Sequence, residues 1–178
     1  MGIQIGAKPD SGFDDPIGML KDCHRRIEQF LQVLCLVVER APGRPLTQEE
    51  HAAVQSALQY FRLGGHRHTA DEEESLFPRM RAEKATAGAL KEIEALEADH
   101  READELHLAV ENLYAAWTEG RPLSPEDEQR LHEATQRLKQ LYEGHIKIEE
   151  NLVFPRASES LDADTIAAMG VEFRERRK

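Results

Sequence analysis

Apolar residues recur along this chain at alternating steps of three and four, the spacing that lines one face of an α-helix. The first run places Ile17, Leu20, His24, Ile27, Leu31, Leu34 and Val38 inward. The second reads Val54, Leu58, Phe61, Gly65, His68, Glu72 and Ser75, and the third Ile93, Leu96, His100, Ala103, His107, Val110, Tyr114 and Trp117. The fourth reads Leu131, Ala134, Leu138, Leu141, His145, Ile148 and Leu152. No stretch alternates apolar and polar residues as a half-buried strand does, so the chain reads as all-α. Every one of the four seams seats an imidazole among its apolar positions.

Capping and breaking residues divide the chain. Asp15-Pro16 opens the first helix and Ala41-Pro42-Gly43 closes it. Thr47 and Glu50 form a capping box for the second, which the Phe77-Pro78 pair is expected to end. The third begins between Glu83 and Leu90 and ends near Gly120-Arg121-Pro122. Ser124-Pro125 starts the fourth, expected to stop at Phe154-Pro155, and a shorter fifth helix spans about Asp162 to Arg176. Four long helices with short polar loops fold most simply as an up-down-up-down four-helix bundle. The expected organisation is an arm over residues 1–14, the bundle over 15–155, and a short helix with a basic tail over 156–178.

Charge narrows the partners. Across 178 residues, Lys and Arg total 23 and Asp and Glu total 34, a net charge of −11. Such an acid excess repels phosphate backbones, and the one basic cluster, Arg174, Arg176, Arg177 and Lys178, sits at the extreme C-terminus, so nucleic acid is not expected. The longest apolar run, Leu34 to Val38, is far short of the roughly 20 residues of a membrane span. The chain also opens without a secretion signal, so a cytoplasmic protein is expected, with no protein partner indicated. Cys23 and Cys35 fall on one helix about 18 Å apart and cannot pair.

The remaining surplus, 8 histidines beside many carboxylates, is the inventory of a metal site. An internal repeat organises it. His68-Thr-Ala-Asp-Glu72-Glu73-Glu74-Ser75-Leu76-Phe77-Pro78 and His145-Ile-Lys-Ile-Glu149-Glu150-Asn151-Leu152-Val153-Phe154-Pro155 share the pattern His-x-x-x-Glu-Glu-x-x-apolar-Phe-Pro at a constant offset of 77. The lone histidines of the other two helices, His24 and His100, repeat at an offset of 76. Two helical hairpins are therefore related by pseudo-twofold symmetry. Residues at i and i+4 share a helix face, so His68 with Glu72, and His145 with Glu149, can reach one metal or two adjacent ones. In an up-down bundle His24, His68 and His145 lie at one depth, and His100 joins them if the third helix starts near Leu90. Four imidazoles and two carboxylates without thiolate suit a pair of iron ions better than an iron–sulfur cluster.

With this ligand order and the doubled motif, the sequence resembles the hemerythrin-like, or HHE cation-binding, domains over nearly the whole span from Asp15 to Pro155. The resemblance implies a non-heme di-iron centre, oxo- or hydroxo-bridged, in a four-helix bundle. It also implies that Glu72 and Glu149 bridge the irons, that His24, His68, His100 and His145 are terminal ligands, and that an open position takes O2, peroxide or nitric oxide. Oxygen-carrying hemerythrins have a second histidine four residues after the one on the third helix, and here that place is Asp104. The slot is left to Asp104, solvent or a nearby group, which favours redox reaction or sensing over reversible O2 carriage. The rival readings are an iron-, oxygen- or redox-sensing module without turnover, and an oxygen carrier or iron store. A ferritin-like carboxylate oxidase would need Glu-x-x-His pairs, and the order here is His then Glu.

The remaining polar residues carry separate expectations. Glu28, four after His24, and Asp104, four after His100, are read as ligands, as acceptors behind an imidazole, or as solvated charges. His107 is expected to line the upper core or a ligand path, with His51, His66 and His132 at the surface. Asp71, Glu73, Glu74 and Glu150 are expected to form a solvated acidic face, and Tyr142 to sit at a rim. Gly64-Gly65, inside a helix at a cost of about 1 kcal/mol each, signals close packing, a local bulge or room for a ligand.

Overall fold

A computed structural model describes residues 10–83 and 89–178, and among these the secondary structure is helical with no strand. Most of the proposed N-terminal arm, and the stretch just before the third helix, lie outside the described residues. Helix α1 is Pro16–Arg40, with Asp15 accepting from the Gly18 N–H and proline in its first turn. Helix α2 covers residues 48–82 and opens on the Thr47/Glu50 capping box. Within it, α-helical stretches alternate with two π-helical turns, Phe61–Gly65 and Glu72–Leu76. Helix α3 is Leu90–Thr118. Helix α4 covers residues 125–160, capped by Ser124 and carrying one π-helical turn at Glu149–Val153. Helix α5 is Ala163–Glu175, with Asp162 accepting from the Thr165 N–H.

Both Phe-Pro pairs lie inside helices rather than at their ends: α2 continues to Ala82 and α4 to Ser160. The physical reason is the π turn before each proline. There Phe77 N–H bonds to the Glu72 carbonyl and Phe154 N–H to that of Glu149, so the i→i−4 ladder is already interrupted where proline would break it. The extra residue also shifts the helix face. On α4, Glu149 and Val153 are buried, while Ile148 and Leu152, expected on the seam, are only half-buried. The two central glycines divide their roles. A Cβ at Gly64 would meet the Tyr60 ring at 2.7 Å, whereas one at Gly65 would find only Phe61 at 3.7 Å. Gly64 is a close approach, and Gly65 borders open space within the π turn.

The buried apolar residues form two clusters. One joins Leu34 and Val38 of α1 with Val54 and Leu58 of α2, Val110, Tyr114 and Trp117 of α3, and Leu131 and Leu138 of α4. The other joins Ile17 and Leu20, Leu76 and Phe77, Ile93 and Leu96, and Val153 and Phe154, and adds Met169 and Phe173 of α5. Buried ends therefore alternate: the C-terminal part of α1 packs with the N-terminal part of α2, and so on around the four long helices. Helix α4 packs along α3, and α1 packs along both α2 and α4. On every long helix the inward histidine falls between residues of the two clusters.

Helix α5 is seated on the molecule. Phe173 and Met169 are fully buried, and a Cβ at Gly170 would collide with the Phe13 carbonyl. Two residues of the expected basic tail are held in ion pairs: Arg176 and Arg177 both hold Asp71, which is fully buried beside Glu72. Arg79 and the Ser75 hydroxyl grip Glu172 of α5 from α2. Asp71 is thus not part of a solvated face. No helix among the described residues is long and apolar enough to cross a membrane.

Candidate metal centre

The π turns aim the repeated motifs. The first glutamate of each, Glu72 on α2 and Glu149 on α4, is fully buried at the centre of the molecule. Around them stand His24 of α1, His68 of α2, His100 of α3 and His145 of α4, all buried. Glu72 places Oε1 3.3 Å from His68 Nε2 and Oε2 3.3 Å from His100 Nε2. Glu149 places Oε2 3.0 Å from His24 Nε2 and 3.3 Å from His145 Nε2. Donor atoms of His24, His68, Glu72 and Glu149 lie within 4.8 Å of one another, as do those of Glu72, His100 and His145. All six residues singled out by spacing are brought together.

The rest of each motif orients an imidazole of the opposite hairpin. His100 Nδ1 donates to Glu73 at 2.8 Å, and His24 Nδ1 to Glu150 at 2.9 Å. The motif phenylalanines lie over the same rings, Phe77 stacked on His100 at 6.2 Å between centroids and Phe154 on His24 at 5.4 Å. One motif thus supplies a central carboxylate, an acceptor for the partner imidazole, and a face for that ring. His145 Nδ1 faces Asp99 at a longer 3.4 Å, and His68 Nδ1 is buried without a hydrogen-bond partner. A carboxylate can only accept, so these contacts put the proton on Nδ1 and turn the Nε2 lone pair inward.

The outer acceptors are not the ones spacing suggested. Glu28 and Asp104 are exposed and take no part in the cluster, and Glu73 and Glu150, assigned to a solvated face, hold the imidazoles instead. The repeat carried the signal, since both glutamates recur at the offset of 77. Asp99 has no such mark: its counterpart 76 residues earlier is Cys23. Tyr142 is buried rather than at a rim, with its hydroxyl 3.1 Å from His107 Nε2. His66 is exposed, His51 and His132 are half-buried, and none of the three joins the cluster.

The electrostatics describe a site built around positive charge. Burial, reinforced by Glu149 alongside, pushes the Glu72 carboxyl well above the usual carboxylate range. Burial opposes ionisation of Glu149 as well, but His145 and His24 outweigh it and hold that carboxyl low. Burial likewise resists protonating His24 and His145, yet the adjoining glutamates raise both. His68, buried and facing His24, is pushed well below its ordinary value. Both oxygens of Glu72 and of Glu149, and Nε2 of His24, His100 and His145, are buried with no aligned hydrogen bond despite their proximity. Such orphaned groups are costly unless something shared satisfies them, and cations bound by nitrogen and carboxylate oxygen would do so. The residues fit a metal site.

A family model described as hemerythrin HHE cation binding domain matches residues 15–157. An uncharacterized protein of Haemophilus influenzae is 30% identical over 167 residues, covering 93% of this chain and 92% of that protein. With the doubled motif and the six converging residues, this match establishes that the chain belongs to the hemerythrin HHE cation-binding domain family.

Proposed function

We propose that this chain is a non-heme di-iron protein that binds or reacts with O2, peroxide or nitric oxide in the core of an up-down-up-down four-helix bundle. Alternation of buried helix ends in the two clusters supports that topology. The residues that would hold the pair are His24, His68, His100, His145, Glu72 and Glu149. The observation that carries this reading is the convergence of buried, unsatisfied carboxylate oxygens and imidazole nitrogens from four helices. When bound, an iron pair would supply Lewis-acid and one- or two-electron redox chemistry. The chain's own part is to hold that pair and keep water away. Glu73, Glu150 and Asp99 fix the imidazole orientation, and Phe77 and Phe154 wall off the outer faces. Elemental analysis after iron-replete expression should find about two irons per chain, and the oxidised protein should show near-ultraviolet oxo-to-iron absorption that reduction removes. Clearly fewer than two metals overturns the assignment.

A second reading, a sensing module without turnover, is favoured by the seat of α5. Its terminal Arg176 and Arg177 grip the residue next to Glu72, so occupation of the centre is placed to alter how α5 is held. Iron-dependent protease resistance of the C-terminal segment without peroxide turnover supports sensing, and turnover with unchanged resistance supports reaction.

A further inference from the structure

Two cavities of about 270 Å³ each share Tyr142, whose ring lies 6.3 Å from that of His145. One lies between α2 and α3, the other between α1 and α4, and the internal repeat relates them. Gly65, Asp104, His107 and Leu108 of the first correspond, at offsets of 77 or 76, to Tyr142, Glu28, Leu31 and Gln32 of the second. Two of these pairs have diverged in a way that matters. Where the α1/α4 side carries the tyrosine ring, the α2/α3 side has glycine, and a Cβ there would touch only Phe61. Where the α1/α4 side has Leu31, the α2/α3 side has the polar ring of His107. Tyr142 lines both cavities and directs its hydroxyl to His107.

We propose that small uncharged ligands reach the metal pair through the α2/α3 cavity, where Tyr142 and His107 supply their hydrogen bond, and that the Tyr142 ring plugs the symmetry-related route. The proposal rests on the metal reading above and adds the path and the ligand's charge class. Placement supports the path: the Tyr142 ring of the lining lies 6.3 Å from that of His145, and Thr69 of the lining follows His68 in the chain. Charge supports the class. Arg62 and Glu111 of the lining pair with each other at 2.6 Å, which leaves the exposed carboxylate of Asp104 to disfavour anions while O2, nitric oxide or hydrogen peroxide pass. Burial holds His107 neutral, its value lowered to about 4, so its Nε2 can either donate to Tyr142 or accept from it. When it donates, Tyr142 keeps its own O–H for a guest.

The test uses a matched pair of exposed rim positions. Nitric oxide binding to the anaerobic, reduced, iron-loaded full chain is followed by stopped-flow absorbance in Leu108→Trp and Gln32→Trp. Association should slow about tenfold in Leu108→Trp and stay within about twofold of the unsubstituted rate in Gln32→Trp. Tyr142→Phe keeps the ring and should leave association unchanged while raising dissociation about fivefold. An independent readout needs no iron. Xenon should shift the Leu58 methyl signals of the metal-free protein in NMR spectra, and Gly65→Leu should abolish the shift. Equal rates in the two rim variants overturn the route, unchanged dissociation in Tyr142→Phe overturns the hydrogen bond, and absence of a xenon shift overturns the cavity as a binding space. A chain that holds no iron pair defeats the metal reading instead, and the xenon result is unaffected by it.

Discussion

Removing the carboxylate of Glu73 or Glu150 leaves a buried imidazole N–H without its acceptor and frees the ring to turn. Glu73→Ala and Glu150→Ala should each weaken metal binding about 10- to 100-fold in a competition titration, while Glu28→Ala and Asp104→Ala leave it unchanged. Glu72→Ala should abolish the paired centre and its near-ultraviolet band, and His51→Ala should retain both. Binding should also be pH-dependent. Glu72 holds a proton above the ordinary carboxylate range, so a cation must displace it. Affinity should therefore rise as pH rises toward the raised pKa, and calorimetry in buffers of different ionisation enthalpy should show proton release. At this scale the six central residues were legible, because i, i+4 pairing and a repeated offset report which side chains share a face. The orienting acceptors were misplaced for a physical reason. Glu28 and Asp104 neighbour His24 and His100 on their own helices, but those rings bond across to a different helix, and only packing decides which carboxylate they meet.

Four of the five helix starts follow from local chemistry: Asp15, Thr47, Ser124 and Asp162 each accept from an N–H three residues on, whereas α3 starts without a capping side chain. The two Phe-Pro pairs show where local chemistry stops. Proline reads as a terminator, yet in both helices a π turn sits before it, and that turn carries Glu72 or Glu149, which face the centre, and Glu73 or Glu150, which reach the facing helix. Helix α5 was legible as a helix but not as part of the core. Its clamp onto Asp71 leads to a prediction at this scale. In the double variant Arg176→Ala, Arg177→Ala, a buried carboxylate loses both partners, and stability should fall by about 3 kcal/mol in chemical denaturation. Asp71→Asn added to that variant should recover part of the loss, since it removes the unpaired charge.

Across the whole molecule the two hairpins are alike in the residues that meet at the centre and unlike around them. Only one side carries α5, only one carries glycine at the position of Tyr142, and only His68 lacks a partner at Nδ1. The shared centre ties the four long helices together through charged groups that have little other reason to be buried. A cation that binds the folded chain alone should therefore raise its stability, by about 2.7 kcal/mol at a free concentration 100 times the dissociation constant. Thermal denaturation with and without a tight chelator checks this, and an unchanged midpoint would show that metal contributes nothing to the fold.

By itself, the sequence determined the all-helical class, the four helix starts that carry a capping side chain, the repeat, and the six residues that meet at the centre. These depend on periodicity and spacing, which the chain carries locally. Tertiary structure alone decided that both prolines lie within helices, that Glu73, Glu150 and Asp99 rather than Glu28 and Asp104 orient the imidazoles, and that the basic C-terminus is locked to Asp71. It also decided that Gly65 and Tyr142 stand at matched positions of two cavities. Each of these turns on a contact between residues far apart in the chain, and such contacts leave no period to read.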